Sequence, residues 1–256
     1  MNFKIKDYVQ LKNEPDIYII EEVISDEVLL KGLTYRNMIS TKVDNLVLAN
    51  INDVNQILDN QNKVINKFKT SSLQRNPNHL IYGTILHIDG DKEYLDSCMS
   101  LYKEMNIFAN GIYIKEEDVK NKIEKLILEL TPDIVVITGH DLYNGKGLKD
   151  IENYKNTKHF KDALRIIRKH FNQESMSVII GACASHFEAL IASGANFSSS
   201  PKRINIHTYD PAIIAIKVAT TSINKIVDFE QILKFIENKK DAFGGIETKG
   251  KMKILL

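Results

Sequence analysis

Two reactive side chains occupy matching places in the pattern of this chain. Val136-Ile137-Thr138-Gly139-His140-Asp141 and Ile179-Ile180-Gly181-Ala182-Cys183-Ala184-Ser185-His186 each read as an apolar strand running into a turn with a reactive residue at the same offset. In open α/β sheets functional groups gather beyond the carboxyl ends of strands. A histidine and a cysteine at equivalent strand ends supply a base beside a thiol, the pair needed for covalent attack on a carbonyl. A helix expected from about Ala184 sets Cys183 at its N-terminus, where unpaired N–H groups and the positive end of the dipole favour a thiolate. Alone, a cysteine after an apolar strand reads equally as a small buried hydrophobe; the pairing with His140 argues for catalysis.

Other histidines compete for the role of base. His186 lies one turn along the expected helix from Cys183, where surface or capping roles are the alternative. His207, with Asp210 close behind at another expected strand end, allows a rival amidotransferase-like triad of Cys183, His207 and Asp210. His87, Asp89 and Asp91 form one short cluster without a second ligand set of fitting spacing, so neither metal nor cofactor is expected. Cys98, between apolar helix positions, is expected in the core.

The elements that position these residues follow from hydrophobic periodicity. Residues 1–66 show short β-type runs (Tyr8–Leu11, Ile17–Ile20, Val28–Leu30, Leu46–Leu48) and a trailing helix through Val54, Ile57, Leu58, Val64 and Ile65, which predicts a small β-barrel. Residues 67–79 are polar, contain Pro77 and read as a linker. From residue 80 strands and helices alternate: strand Ile81–Ile88, helix Asp91–Met105, strand Ile107–Ile114, helix Glu116–Leu130, strand Asp133–Thr138, helix near Lys158–Phe171, strand Ser177–Ile180. That alternation predicts a doubly wound, mostly parallel sheet over 80–256.

Composition narrows the function classes. With 34 basic against 33 acidic residues in 256, and a net charge of +1, no global field points to nucleic acid or a membrane surface. The alternative class is a nucleic-acid or partner-binding barrel with the α/β part a non-catalytic scaffold; the balanced charge and the lack of interleaved basic and aromatic patches argue against nucleic acid and leave a partner-docking or regulatory module open. Lys4, Lys6 and Asp7 stand where a signal peptide would be apolar, and no apolar run approaches the ~20 residues of a membrane span. A cytoplasmic location and free thiols are expected.

His140 precedes Cys183 by 43 residues, close to the roughly 50 of caspases; apolar strand then His, apolar strand then Ala-Cys, is the pattern of caspase-like cysteine peptidases. Such peptidases usually carry glycine directly after the histidine to help form the oxyanion hole. Here Asp141 follows and Gly139 precedes, so these two are the oxyanion-support candidates beside the backbone N–H of Cys183. The segments Leu86–Asp91, Pro132–Ile134 with Thr138–Asp141, Gly181–Glu188, Gly194–Pro201, Gly244–Thr248 and the opening Asp7-Tyr8-Val9 resemble the YabG family of sporulation-specific proteases. The resemblance implies a thiol endopeptidase with a caspase-like fold and a small SH3-like barrel, a His140–Cys183 dyad, and spore coat and related precursors as protein substrates cut after basic residues. It also admits association with the spore coat. A basic preference requires an acid in the specificity pocket; Asp89 and Asp91 are the candidates, with turn and N-cap roles as the alternative. Lys67, Lys69 and Arg75 in the linker offer self-cleavage sites, Arg75 foremost, against a spacer that is never cut.

Overall fold

A computed structural model describes residues 3–72 and 79–255 of the chain, which divides between Ser71 and Ser72 into two compact units. The first unit carries β1 (Tyr8–Leu11), β2 (Ile17–Ile24), β3 (Glu27–Gly32), β4 (Met38–Lys42) and β5 (Leu46–Leu48), then helix α1 (Ile51–Ser72). The strands form one antiparallel sheet in the order β4-β3-β2-β1-β5. Val9, Tyr18, Ile20, Val28, Leu30 and Leu46 gather on its inner side as the core. A register shift between Ile20 and Glu22 bends β2, as a bulge does. β4 and β5 are the two edges, and no ladder joins them among the described residues. The helix runs through Ser72, so Lys67 and Lys69 are helical rather than part of the expected linker.

The second unit opens with β6 (Leu80–Ile81), followed by β7 (Ile85–Asp89), α2 (Lys92–Glu104), β8 (Ala109–Tyr113), α3 (Val119–Leu130), β9 (Ile134–Thr138), α4 (Thr157–His170), β10 (Ser177–Ile180), α5 (Phe187–Ala192), β11 (Phe197–Ser199), α6 (Asp210–Thr220), α7 (Phe229–Leu233), α8 (Lys239–Ala242), β12 (Phe243–Gly245) and β13 (Lys253–Ile254). Six strands form the main sheet in the order β12-β11-β10-β9-β7-β8, parallel except for β12 at one edge. The strand expected over 81–88 is split, because β6 leaves the sheet to pair with β13. Gly83 lies between the pieces with its N–H on the carbonyl of Ala219, at a crossing where a side chain would meet Lys251.

Strand pleating sorts the residues between two helical layers. Leu86, Ile88, Val135, Ile137, Val178 and Ile180 meet α3, α4 and α5. The alternate set, including Ile85, His87, Asp89, Val136, Thr138 and Ile179, is buried on the side of α2 and α6. Helices therefore cover both faces, and residues on either side of the sheet are removed from water, which gives the continuous apolar strands of the sequence.

At the carboxyl-remote end of the sheet one arginine fastens the loops. Arg168 donates to the carbonyls of Gly194, Phe171, Asn172 and Met176 and to Asn196 Oδ1. Burial among neutral acceptors lowers its guanidinium to about 10. Arg168→Ala removes these donors and strands buried carbonyls, so a loss of about 2–4 kcal/mol in unfolding free energy is expected. Urea denaturation of the two proteins side by side measures it.

Candidate active site

The ladders of β7, β9 and β10 bring three residues into register. Asp89 pairs with Thr138, and Ile137 with Ile180. Two residues further on stand Asp91 and His140, and three beyond Ile137 and Ile180 stand His140 and Cys183. Asp91, His140 and Cys183 thus hold equivalent positions beyond three neighbouring parallel strands. The chain order reverses between β7 and β9, the switch point at which doubly wound sheets open a crevice for ligands.

His140 is held on several sides. Its Nε2 lies 3.2 Å from Asp91 Oδ2, with 22% and 12% of the two side chains exposed. Its backbone N–H donates to Glu116 Oε1 at 2.6 Å, and its carbonyl accepts from Asn156 Nδ2 at 2.7 Å. Nδ1 is buried and has no partner among the described residues. That leaves one ring nitrogen fixed and the other available for proton transfer.

Glu116 is the residue that sequence reasoning passed over. It is buried in a short 3-10 turn before α3, where an acid in the run Glu116-Glu117-Asp118 reads as ordinary helix-start charge. A Cβ on either Gly90 or Gly139 would collide with its carboxylate. Gly139 is therefore glycine to admit Glu116 beneath the His140 loop, a packing reason distinct from the expected oxyanion support.

Cys183 is buried, and its Sγ accepts from the N–H of Ile206 at 3.3 Å. The expected helix does not begin at Ala184. Residues 183 and 184 form a turn, α5 starts at Phe187, and His186 is its N-cap. The positive end of a helix is thus not what meets the sulfur; a backbone N–H from a different segment is. Ala184 sits at φ 56°, with its N–H on Ser200 Oγ at 3.0 Å, while Ala182 N–H donates to Ser185 Oγ at 3.0 Å.

Asp141 ties the two strand-end loops together through its side chain. Oδ1 accepts from Leu142 and Asn156 N–H at 2.9 and 2.6 Å. Oδ2 accepts from Thr157 Oγ1 at 2.5 Å and Ser185 Oγ at 2.9 Å. Burial raises its carboxyl above the ordinary aspartate value, against the opposing pull of these hydrogen bonds.

A family model described as YabG peptidase U57 matches residues 7–256. The chain belongs to that family. The sporulation-specific protease YabG of Bacillus subtilis (strain 168) is 37% identical over 191 residues, 73% of this chain and 66% of that protein, so the chain spans just under two thirds of that relative's length. No solved structure matches the chain.

The remaining candidates fall outside the row. His186 Nδ1 accepts from Ala189 N–H at 3.3 Å, Nε2 lies 3.2 Å from the Lys149 carbonyl, and the ring packs 4.9 Å from that of Tyr154. Nδ1 also lies 3.2 Å from Glu188 Oε2, so both ring nitrogens have partners. His207 is a β-bridge residue just before the turn that leads into α6. Its backbone N–H donates to Asp210 Oδ2 at 2.9 Å, and its Nδ1 accepts from Tyr209 N–H at 3.4 Å, bonds that shape the turn. Asp89 is wholly buried; Oδ1 accepts from Asp91 N–H at 2.9 Å, and Oδ2 lies 3.6 Å from His87 Nε2. Cys98 is buried in α2 with Sγ 3.4 Å from the Thr208 carbonyl. Arg75 lies outside the described residues. Among the described residues, no cluster of three or more His, Cys, Asp or Glu is arranged to hold a metal ion.

Asp141→Ala leaves the Leu142 and Asn156 N–H groups without their acceptor and is expected to cost about 2–4 kcal/mol. Asp141→Asn keeps that acceptor and isolates the charge. A carboxyl raised in the folded state binds its proton more tightly there than in the unfolded chain, so its contribution is full at low pH and is lost as pH rises through the folded value. The stability advantage of wild type over Asp141→Asn should therefore shrink from about pH 4 toward neutrality, as denaturation at a series of pH values would record.

Proposed function

We propose that the protein is a cysteine endopeptidase that cuts spore-coat and related precursor proteins after arginine or lysine, with Cys183 as nucleophile and His140 as general acid and base. One observation carries this reading: His140 and Cys183 follow the paired residues Ile137 and Ile180 at equal distance on adjacent parallel strands, within a chain of the YabG peptidase family. The name of the Bacillus subtilis relative, a sporulation-specific protease, supports the substrate setting. The finer fold reading is a small SH3-like β-barrel for the first unit and a caspase-like sheet for the second. The proposed location is the cytoplasm of the sporulating cell; no helix among the described residues is long and apolar enough to cross a membrane.

In the proposed reaction the Cys183 thiol passes its proton to His140 Nδ1, and the thiolate adds to the scissile carbonyl carbon. The resulting oxyanion is met by the backbone N–H of Cys183. His140 Nδ1–H then protonates the departing amine as the C–N bond breaks, leaving a thioester on Cys183. Water, deprotonated by Nδ1, adds to the thioester, and the new carboxylate leaves as the sulfur recovers its proton.

The basic side chain before the cut is assigned to Asp89. Asp89 is the last residue of β7 at the switch point, and a guanidinium would displace its contacts with Asp91 N–H and His87. Asp89→Asn should cost cleavage after arginine about 2–5 kcal/mol in transition-state binding and leave cleavage after a neutral residue nearly unchanged. Equal loss on both substrates would assign Asp89 to the structural pairing with His87 instead.

The decisive test incubates wild type, Cys183→Ala, His140→Ala and His207→Ala with a spore-coat precursor. Cleavage should vanish in the first two variants and persist in the third. Retained cleavage by Cys183→Ala would end the thiol-peptidase reading, and loss in His207→Ala with retention in His140→Ala would transfer the base to His207.

A further inference from the structure

We propose that Asp91 is a positioning residue that completes the site as a Cys183–His140–Asp91 triad, fixing His140 in the tautomer that carries its proton on Nε2 and its lone pair on Nδ1. The inference rests on the reading of Cys183 and His140 as the reacting pair. Three observations support it independently: the 3.2 Å separation of His140 Nε2 from Asp91 Oδ2, the buried Nδ1 that meets no partner among the described residues, and the ladder register that sets Asp91, His140 and Cys183 level beyond β7, β9 and β10.

The chemistry follows from what a carboxylate can do. An ionised carboxylate only accepts hydrogen bonds, so the ring nitrogen that faces it bears the hydrogen, and in the neutral ring the other nitrogen is the base. Once Nδ1 has taken the thiol proton, the imidazolium lies against a negative oxygen in a charge-assisted bond. Most of both side chains is withdrawn from water, which limits screening of that attraction.

Asp91 is itself firmly placed. Its Oδ1 accepts from the N–H groups of Glu93 and Tyr94 at 3.0 and 3.1 Å, and its own N–H donates to Asp89 Oδ1 at 2.9 Å. The helix cap uses one oxygen and the histidine the other, so the two roles do not compete. The Tyr94 ring, 5.9 Å from that of His140, comes from the same first turn of α2.

Asp91→Asn separates the roles. Asparagine caps helices as well as aspartate, so α2 and its fold persist. With its oxygen kept by the helix, the amide NH₂ faces Nε2, and the neutral ring must move its hydrogen to Nδ1, where it cannot take the thiol proton. The expected result is a fall in kcat of about 10²–10⁴-fold on a precursor substrate, with KM and the thermal midpoint close to wild type. The direct readout is ¹⁵N NMR of the histidine rings in the Cys183→Ala background at about pH 8.5, where histidine is ordinarily neutral: the proton is expected on Nε2 with Asp91 present and on Nδ1 in Asp91→Asn. A kcat within about threefold of wild type, or a proton on Nε2 in both proteins, would overturn the proposal. The comparison with His140→Ala keeps the two readings apart: activity lost in His140→Ala but kept in Asp91→Asn defeats the positioning role alone. Activity kept in His140→Ala defeats the reacting pair, while the NMR measurement still reports whether Asp91 sets the tautomer.

Discussion

Past the last rung of a β-ladder, nothing in the backbone holds neighbouring loops at a fixed separation, and here a buried carboxylate between the loops after β9 and β10 does so. Asp141 binds the N–H groups of Leu142 and Asn156 with one oxygen and the hydroxyls of Thr157 and Ser185 with the other. Each hydroxyl in turn accepts from the backbone, Thr157 from His186 N–H across the gap and Ser185 from Ala182 N–H within its own turn. The loop after β9, the start of α4 and the turn after β10 thereby become one hydrogen-bonded body. The side chain at this position fastens the loop after β9 to the turn after β10. Such a network is stable only when every member is satisfied.

The backbone around Cys183 is held in unusual conformations by the same kind of bonding. Ala184, Ser200 and Arg203 all have positive φ, at 56°, 57° and 55°, which costs a non-glycine residue of the order of 1–3 kcal/mol each. Ser200 Oγ meets the carbonyls of Ala182 and Ile204 and the N–H of Ala184. Arg203 is anchored to Glu188, Tyr154 and the Pro201 carbonyl. Strain retained by so many contacts fixes the turn rather than loosening it, and it carries the sulfur to the Ile206 N–H instead of to a helix terminus.

Legibility in the sequence followed the physics of each element. The central strands Ile134–Thr138 and Ser177–Ile180 were readable because burial on both faces leaves an unbroken apolar run. β4 was missed because Met38–Lys42 forms an edge with no fully buried residue, so its alternation is weak. The start of α5 was misplaced because alanine gives no sign of a left-handed turn at Ala184. The linker was expected too early because the polar end of α1 has few buried positions to mark it as helix. Glu116 had a signal after all in Gly90 and Gly139, but only the folded chain brings two glycines so distant in sequence against one carboxylate.

Asp89 and Asp91 show how far spacing alone can carry such a reading. Residues two apart along a strand share a face, so both acids were legible as neighbours of the crevice, but their division of labour was not. It is set by where β7 ends: Asp89 is its last residue, still in register with Thr138, and Asp91 is the first cap of α2. Two residues more of strand would take Asp91 into the sheet and leave His140 Nε2 without its partner. The boundary between strand and helix therefore sets the electrostatics of the site. Because the carboxylate that meets the imidazole also caps α2, displacement of that helix would shift the acceptor from His140, and the packing of α2 against β7 and α6 becomes a condition for the placement of the imidazole.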